Sequence, residues 1–318
     1  MEVERSRNDG NFVRVGIADS IYQLPTESDV DSQYKINRRE NYVASEKPDT
    51  TGHGTAVFDY ATATSPKAVY NFYRVIAEEP DTGHGKAKRS NVVRAIAAAV
   101  EHGVDVLNLS LGVCHHEEDG YDCGGHCRIG DEARWAVEEH DVTIVTAIGN
   151  EKTADAVTCP GLLDEVIGVG GLISLCTNDV SDSTEGSQYW IHGDELYGPF
   201  CGQRKCENGQ DCEDNRKDVP WDGNAPFVNA EPDVLAPAIR ASGDTQERDA
   251  SFQSGTSFAT PLVTSSLVSI LSDLIIEEGK QPSPKELQQA VTEASKPIDR
   301  SDLQKYSESA TFDALRSR

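Results

Sequence analysis

At 318 residues the chain is long enough for one large α/β domain with a well-buried core, or for two smaller ones. Acidic residues outnumber basic ones 54 to 29, a formal net charge of −25, so nucleic acid and anionic membranes are poor partners on electrostatic grounds. No stretch reads as a bilayer-crossing run, and Met1 to Gly10 is charged with no apolar signal core, so membrane insertion is not expected.

The acidic residues are scattered along the whole length, which suggests a surface adapted to very high salt, where self-repulsion is screened, and hence a halophilic origin. Arg38-Arg39 and Lys86 to Arg89 read as solvated loop charges. The compartment stays open between the cytoplasm and the mature form of an exported precursor, and the oligomeric state is not legible.

In chain order, Asn11 to Ala18 reads as a strand with Asp19-Ser20 at its C-terminal end, where ligands and reacting groups collect in open parallel sheets. Asp19 could equally cap a turn. Tyr22 to Pro48 is polar and reads as irregular connection. Gly52-His53-Gly54-Thr55 then opens a small-residue segment, and its glycines permit close approach to the histidine. Ala68 to Ile76 is a second strand. After a turn at Asp81 to Gly85, Ser90 can cap a helix carrying Val92, Val93, Ile96, Ala97 and Val100 on its apolar face.

Val104 to Leu111 is a strongly apolar strand, Asp131 to His140 a helix, Val142 to Ile148 another buried strand, and Val166 to Val169 a short one. This alternation predicts a parallel sheet covered on both faces. Asn178 to Asn229 is polar and reads as a long loop without regular structure. Pro232 to Pro237 returns the chain to the core. Gly255 to Pro261 then leads into Leu262 to Ile276, apolar nearly all the way round and so a helix buried in the protein. A serine at its mouth, Ser257, is placed for a nucleophile beside unpaired helix N–H groups, although serine is also an ordinary N-cap. Ser283-Pro284 starts a last amphipathic helix, Lys285 to Ala294. The whole of 1–318 reads as one domain with cysteine-rich insertions at about 113–129 and 176–229.

Asp19, His53 and Ser257 stand in the chain order of the subtilisin triad. Asp19-Ser20 after an apolar strand, Gly52 to Thr55, Asn108 to Gly112, Ala147 to Asn150 and Ser254 to Pro261 each resemble a subtilisin-family motif, in the right sequence. The resemblance runs from about Val13 to about Ala294. It implies an α/β, three-layer fold with a mainly parallel central sheet, and a serine endopeptidase working through an acyl-enzyme. Ser257 would attack the peptide carbonyl, His53 would take and return the proton, Asp19 would hold the imidazole, and Asn150 would stabilise the oxyanion.

The resemblance also implies that an extended peptide or protein substrate pairs with two backbone edges, Gly83-His84-Gly85 and Ser110-Leu111-Gly112. The first side-chain pocket would be walled by Leu111, Gly112, Ala147, Ile148 and Gly149, with Thr158 and Cys159 near its rim. Those walls are uncharged, so an apolar residue is expected ahead of the cleaved bond.

The sequence departs from the family at Ile21, where glycine is usual, and at Ala56, which replaces a second histidine. The segment from His53 to Pro66 is shorter than in members with a calcium loop there, so calcium is not assigned. Little chain precedes the first strand, so a folding prodomain is either removed or not used. Eight cysteines cluster in the two insertions, with Cys159 and Cys176 between them. Cys114, His115, His116, Cys123, His126 and Cys127 offer enough ligands for a zinc site, but disulfides are the favoured reading, with a pairing that sequence cannot choose. No cofactor is otherwise required. Two rivals stand beside the endopeptidase: a catalytically silent homologue that binds peptides or a partner in the same groove, and a narrow processing protease for one partner.

Overall fold

The computed structural model describes residues 9–21, 34–43, 52–78, 85–114, 127–150, 158–161, 163–176, 216–220, 232–242, 251–297, 304–305 and 307–317. Its strands, in chain order, start with β1 (Arg14–Asp19), β2 (Lys35–Asn41), β3 (Val69–Arg74), β4 (Ile76–Glu78), β5 (Gly85–Ala87) and β6 (Val106–Leu109). There follow β7 (Val113–Cys114), β8 (Thr143–Ala147), β9 (Thr158–Cys159), β10 (Ile167–Cys176), β11 (Arg216–Pro220) and β12 (Val234–Pro237). The helices that matter for the site are α1 (His53–Ala61), α2 (Arg89–Glu101), α3 (Arg128–His140), α4 (Thr256–Asp273), α5 (Pro284–Ala294) and α6 (Glu308–Arg316).

Strands pair in parallel in the order β12-β10-β8-β6-β1-β3-β2. The period-two pattern of each strand sends alternate side chains to opposite faces. Val15, Ile17, Tyr70, Phe72, Val106 and Val145 join Val57, Phe58, Val263 and Leu267 in one core, with α1, α4, α5 and α6. Ala18, Tyr73, Leu107, Leu109 and Ile144 join Val92, Ile96, Ala133 and Val137 in the other, with α2 and α3. The result is the three-layer α/β architecture expected of the sequence, a mainly parallel sheet with both faces covered.

Three elements differ from the sequence reading. The supposed irregular connection contains β2, an edge strand on β3 with a bulge between Ile36 and Arg38; its mostly charged residues, exposed or only partly buried, carry no apolar alternation to reveal it. β10 is longer than Val166 to Val169. The strand runs on through Gly170, where a Cβ would stand 2.5 Å from Leu235 Cδ2, so glycine there admits the neighbouring strand's leucine. β11 lies inside the long polar segment and pairs antiparallel with the second half of β10. In addition, α2 starts at Arg89 with Lys88 as its cap residue, so Ser90 is within the helix and not its cap. At α5 the cap-then-proline expectation is met in full: Ser283 and Glu286 form a reciprocal capping box that spans Pro284.

The expectation that no stretch could cross a bilayer needs correcting. Thr256 to Glu278 is 23 residues long with a mean hydropathy of 1.6, enough by length and composition, and its apolar window is 78% buried inside the protein. A helix packed against a sheet on one side and against helices on the other carries the same composition as one packed in lipid.

Of the cysteines, Cys127 and Cys159 have described side chains; both are buried and the Cys127 thiol meets Cys159 Sγ at 3.2 Å, tying the start of α3 to β9. Cys123, Cys201, Cys206 and Cys212, with His115, His116 and His126, lie outside the described residues. Among the described residues no group of three or more ligating side chains could hold a metal.

One buried carboxylate outside the site sets a pH dependence. Burial beneath α5 pushes Asp233 up to about 6, against the help of the Gly168 N–H (2.7 Å) and of Gln288 Nε2 (3.3 Å). The folded protein therefore holds a proton there, between pH about 4 and 6, that the unfolded chain has already released. Its contribution makes the fold less stable as pH rises through that window, by about 3 kcal/mol in all. Urea unfolding of wild type and Asp233→Asn at several pH values from about 4 to 7 tests this. The stability difference should shift against wild type as pH rises, and two parallel curves would refute it.

Candidate active site

Three neighbouring parallel strands end side by side, and each hands a candidate residue to the same edge of the sheet. β1 ends in Asp19, β6 runs into Ser110, and β8 runs into Gly149-Asn150. Two helices open at that edge, α1 at His53 and α4 at Thr256-Ser257. That is where a parallel α/β sheet concentrates its chemistry, because strand ends and helix N-termini converge.

Asp19 is fully buried. Its Oδ1 accepts from the Ser20 backbone N–H (2.7 Å) and the Ser20 hydroxyl (3.1 Å), and stands 2.8 Å from His53 Nδ1. Asp19 Oδ2 is buried without a hydrogen-bond partner among the described residues, so the negative charge is directed at His53 through one oxygen. The Ser20 hydroxyl also accepts from the Gly54 N–H at 2.9 Å, which locks the strand end to the helix start.

The close approach inferred from the glycines is real, and Ile21 is its cause. A Cβ on Gly54 would stand 2.4 Å from the Ile21 backbone nitrogen, so only glycine lets α1 sit this near β1. Gly52 has a different reason. Its φ of 64° is left-handed, with open space around it.

Ser257 is half-buried in the first turn of α4, and its hydroxyl donates to the Ser110 carbonyl at 2.9 Å. Its neighbour Phe258 holds its ring centroid 5.8 Å from that of His53, so the imidazole packs over the first turn of the serine's helix. Thr264 Oγ1 donates to Asn108 Oδ1 (2.9 Å), and Asn108 Nδ2 donates to Ser110 Oγ (2.9 Å); this buried chain ties α4 to the strand beside the serine.

Asn150 is oriented by a residue that the sequence reading passed over. Thr256 donates to Asn150 Oδ1 twice, from its backbone N–H at 3.0 Å and from its hydroxyl at 2.9 Å, and that hydroxyl also reaches Gly149 O at 3.2 Å. With the carbonyl oxygen held by Thr256, Nδ2 is the amide's donor end. The sequence by itself shows only a threonine directly before a candidate nucleophile, at a buried helix mouth.

The remaining candidates fall into two groups. Leu111, Ala147, Ile148 and Thr158 are buried around the helix mouth, Gly149 and Gly112 flank it, and Gly85 lies at the start of the β5 edge, paired antiparallel with β4. Gly83 and His84 lie outside the described residues.

Residues 10–311 match the subtilase family, Peptidase_S8. The chain belongs to that family. This subtilase is therefore a serine-type peptidase acting on peptide or protein substrates. Its fold is shared with the prenylagaramide maturation protease PagA (20% identity, TM-score 0.61, 95% of this chain and 93% of that one). It is also shared with a point mutant of the protease domain of PatA (17%, TM-score 0.65, 98% and 98%). A third such structure is the nisin leader peptidase NisP from Lactococcus lactis (18%, TM-score 0.61, 95% and 87%). No curated protein matches the chain.

The subtilase's Thr256 makes a testable claim about how Asn150 is held. Thr256→Val keeps the shape and the backbone hydrogen bond but removes the hydroxyl. With Asn150 as an oxyanion donor, the role expected from the sequence, the result should be a fall in kcat of about tenfold, less than the roughly hundred- to thousand-fold lost with a whole donor, at nearly unchanged KM. Thr256→Ser should restore the rate. A Thr256→Val enzyme with wild-type kcat would show that the hydroxyl is structural only.

Proposed function

We propose that this subtilase is an endopeptidase that cleaves peptide bonds through an acyl-enzyme on Ser257, with His53 as general base and Asp19 as its orienting carboxylate. The observation that carries the reading is the 2.8 Å contact between His53 Nδ1 and a buried Asp19 oxygen, at the helix mouth where Ser257 stands. An alcohol is a weak nucleophile at neutral pH and needs a base. The bond to Asp19 keeps the proton on Nδ1, so Nε2 is the basic nitrogen, and the carboxylate stabilises the imidazolium once it forms.

In the resting arrangement the Ser257 hydroxyl rests on the Ser110 carbonyl. Turning it toward His53 exchanges one hydrogen bond for another, a change of about 1 kcal/mol at most, and frees Ser110 to accept from an extended substrate. As Oγ bonds to the carbonyl carbon, His53 takes its proton and later delivers it to the leaving amine. Water then repeats the cycle to release the acid. Asn150 Nδ2 and the Ser257 N–H at the start of α4 are the donors for the oxyanion, and the helix terminus adds partial positive charge. No metal or cofactor enters these steps.

A Ser257→Ala control makes the test clean. A serine-directed fluorophosphonate should label the intact protein and leave the variant unlabelled. An unlabelled wild type would favour the silent, peptide-binding homologue instead. The narrow processing protease is the second reading, because the first cysteine-rich insertion begins directly after Gly112 in the chain. Broad digestion of an unfolded protein would rule it out.

A further inference from the structure

Cys127 stands at the end of the first cysteine-rich insertion, and Cys159 lies 32 positions further on, outside both insertions. Their order in the chain gives no reason to pair them, since Cys114 and Cys123 are both nearer to Cys127 in sequence. The fold nevertheless brings the two sulfurs within 3.2 Å of each other. They need to approach by only about 1 Å more to reach bonding distance.

Each sulfur is held by backbone that is fixed independently of the other. Cys127 is the cap residue of α3, and its carbonyl accepts from the Asp131 N–H at 2.9 Å. Ile129, Ala133 and Val137 pack that helix into the same core that contains both cysteines. Cys159 belongs to β9, which pairs antiparallel with β7 and sets it opposite Val113. Beside it, a Cβ on Gly112 would stand 2.3 Å from Thr158 Cβ, so β9 lies hard against the backbone that leads into β7. On the other side, a Cβ on Gly161 would stand 2.8 Å from the Ala147 carbonyl. Two packed elements therefore set the distance between the thiols, and joining them demands little ordering beyond what folding has already imposed.

The two thiols are not equivalent. Cys127 is 8% exposed and sits at the N-terminus of a 13-residue helix, whose partial positive charge stabilises a negative sulfur. Cys159 is fully buried. Cys127 is thus the thiol that a small reagent meets first, with Cys159 directly behind it.

We propose that Cys127 and Cys159 form a thiol–disulfide exchange site that takes a low-molecular-weight disulfide of the glutathione type and ends as a cross-link between α3 and β9. The Cys127 thiolate attacks one sulfur of the reagent, whose S–S bond breaks and releases one thiol carrying the proton that Cys127 gave up. Cys159 loses its own proton, attacks Cys127 Sγ and expels the second reagent thiol. Two electrons pass from the protein to the reagent, and two reagent thiols are formed for each protein disulfide. The closed loop contains α3, β8 and Gly149-Asn150, so unfolding becomes harder while the folded arrangement barely changes. The site does not depend on which reaction Ser257 performs.

In the test, wild type is reduced, cleared of reductant, treated with glutathione disulfide, alkylated, and digested at acidic residues without further reduction. Tandem mass spectra should show a peptide pair joined through Cys127 and Cys159. In Cys159→Ser, glutathione should stay on Cys127. In Cys127→Ser, Cys159 should take up glutathione at least about tenfold more slowly than that, because it is buried. The rise in melting temperature on oxidation should be about 5 °C larger in wild type than in Cys159→Ser. If Cys159→Ser does not fold, Cys159→Ala takes its place, and the wild-type map needs no variant at all. A map that joins Cys127 or Cys159 to a different cysteine overturns the proposal. So does finding both thiols still open to alkylation after the disulfide treatment, including thiols that become so only when a chelator removes zinc. An equal rise in melting temperature in the two proteins is as damaging.

Discussion

Ser257→Ala and His53→Ala should each lower kcat by about 10⁶-fold, the scale seen when either member is removed from a subtilisin triad. The double variant should be no worse than either single one. The reason is that nucleophile and base act in one step: without His53 the Ser257 hydroxyl stays protonated, and without Ser257 the base has nothing to deprotonate. Stability should hardly move in the serine variant. Its hydroxyl makes a hydrogen bond to the Ser110 carbonyl in the resting protein, a bond worth about 1 kcal/mol, and alanine is the better helix former. Peptide hydrolysis rates and melting temperatures of the three variants decide the matter. A serine variant that keeps more than a tenth of wild-type kcat would mean that another group is the nucleophile.

Asp19→Asn should cost about 10⁴-fold in kcat with the fold intact. Asp19 Oδ1 receives two donors from Ser20, so an asparagine placed in the same rotamer keeps its carbonyl oxygen toward Ser20 with little disturbance. If its amide group faces His53 instead, Nδ1 must become the acceptor. The proton then sits on Nε2, the nitrogen that should take one from Ser257. Either way the full negative charge that stabilises an imidazolium is gone. The asparagine also removes a buried charge whose second oxygen has no hydrogen-bond partner among the described residues, so stability should hold or rise. Rates and unfolding curves measured together separate the two effects; a loss below tenfold would leave Asp19 as a packing residue.

Much of this was legible from the chain because the motifs are local. The His53 turn, the serine before a buried helix, and the strand ending in Asp19 are short segments whose glycines and apolar runs fix their own conformation. The capping box at Ser283 and Glu286 is of the same kind. What was misread depended on neighbours. β2 and β11 are charged, and they are strands because β3 and β10 offer them an edge. β10 continues through Gly170, whose missing side chain leaves space that Leu235 occupies. Thr256 showed itself as a positioning residue only when its two donors were seen to converge on one oxygen of Asn150.

By itself, then, the sequence determined the layer architecture and the family, and it named the candidate residues for the chemistry, since periodicity and local motifs carry that information within a few residues. Only the tertiary structure decided that Ser20 holds Asp19 and α1 together and that Thr256 sets the Asn150 amide. It also decided that Thr158 lies against Gly112, 46 positions away in the chain. Those contacts join residues with no common period or motif. They exist because parallel strands bring distant chain ends to one edge, where backbone separation and side-chain volume, not sequence spacing, determine what fits.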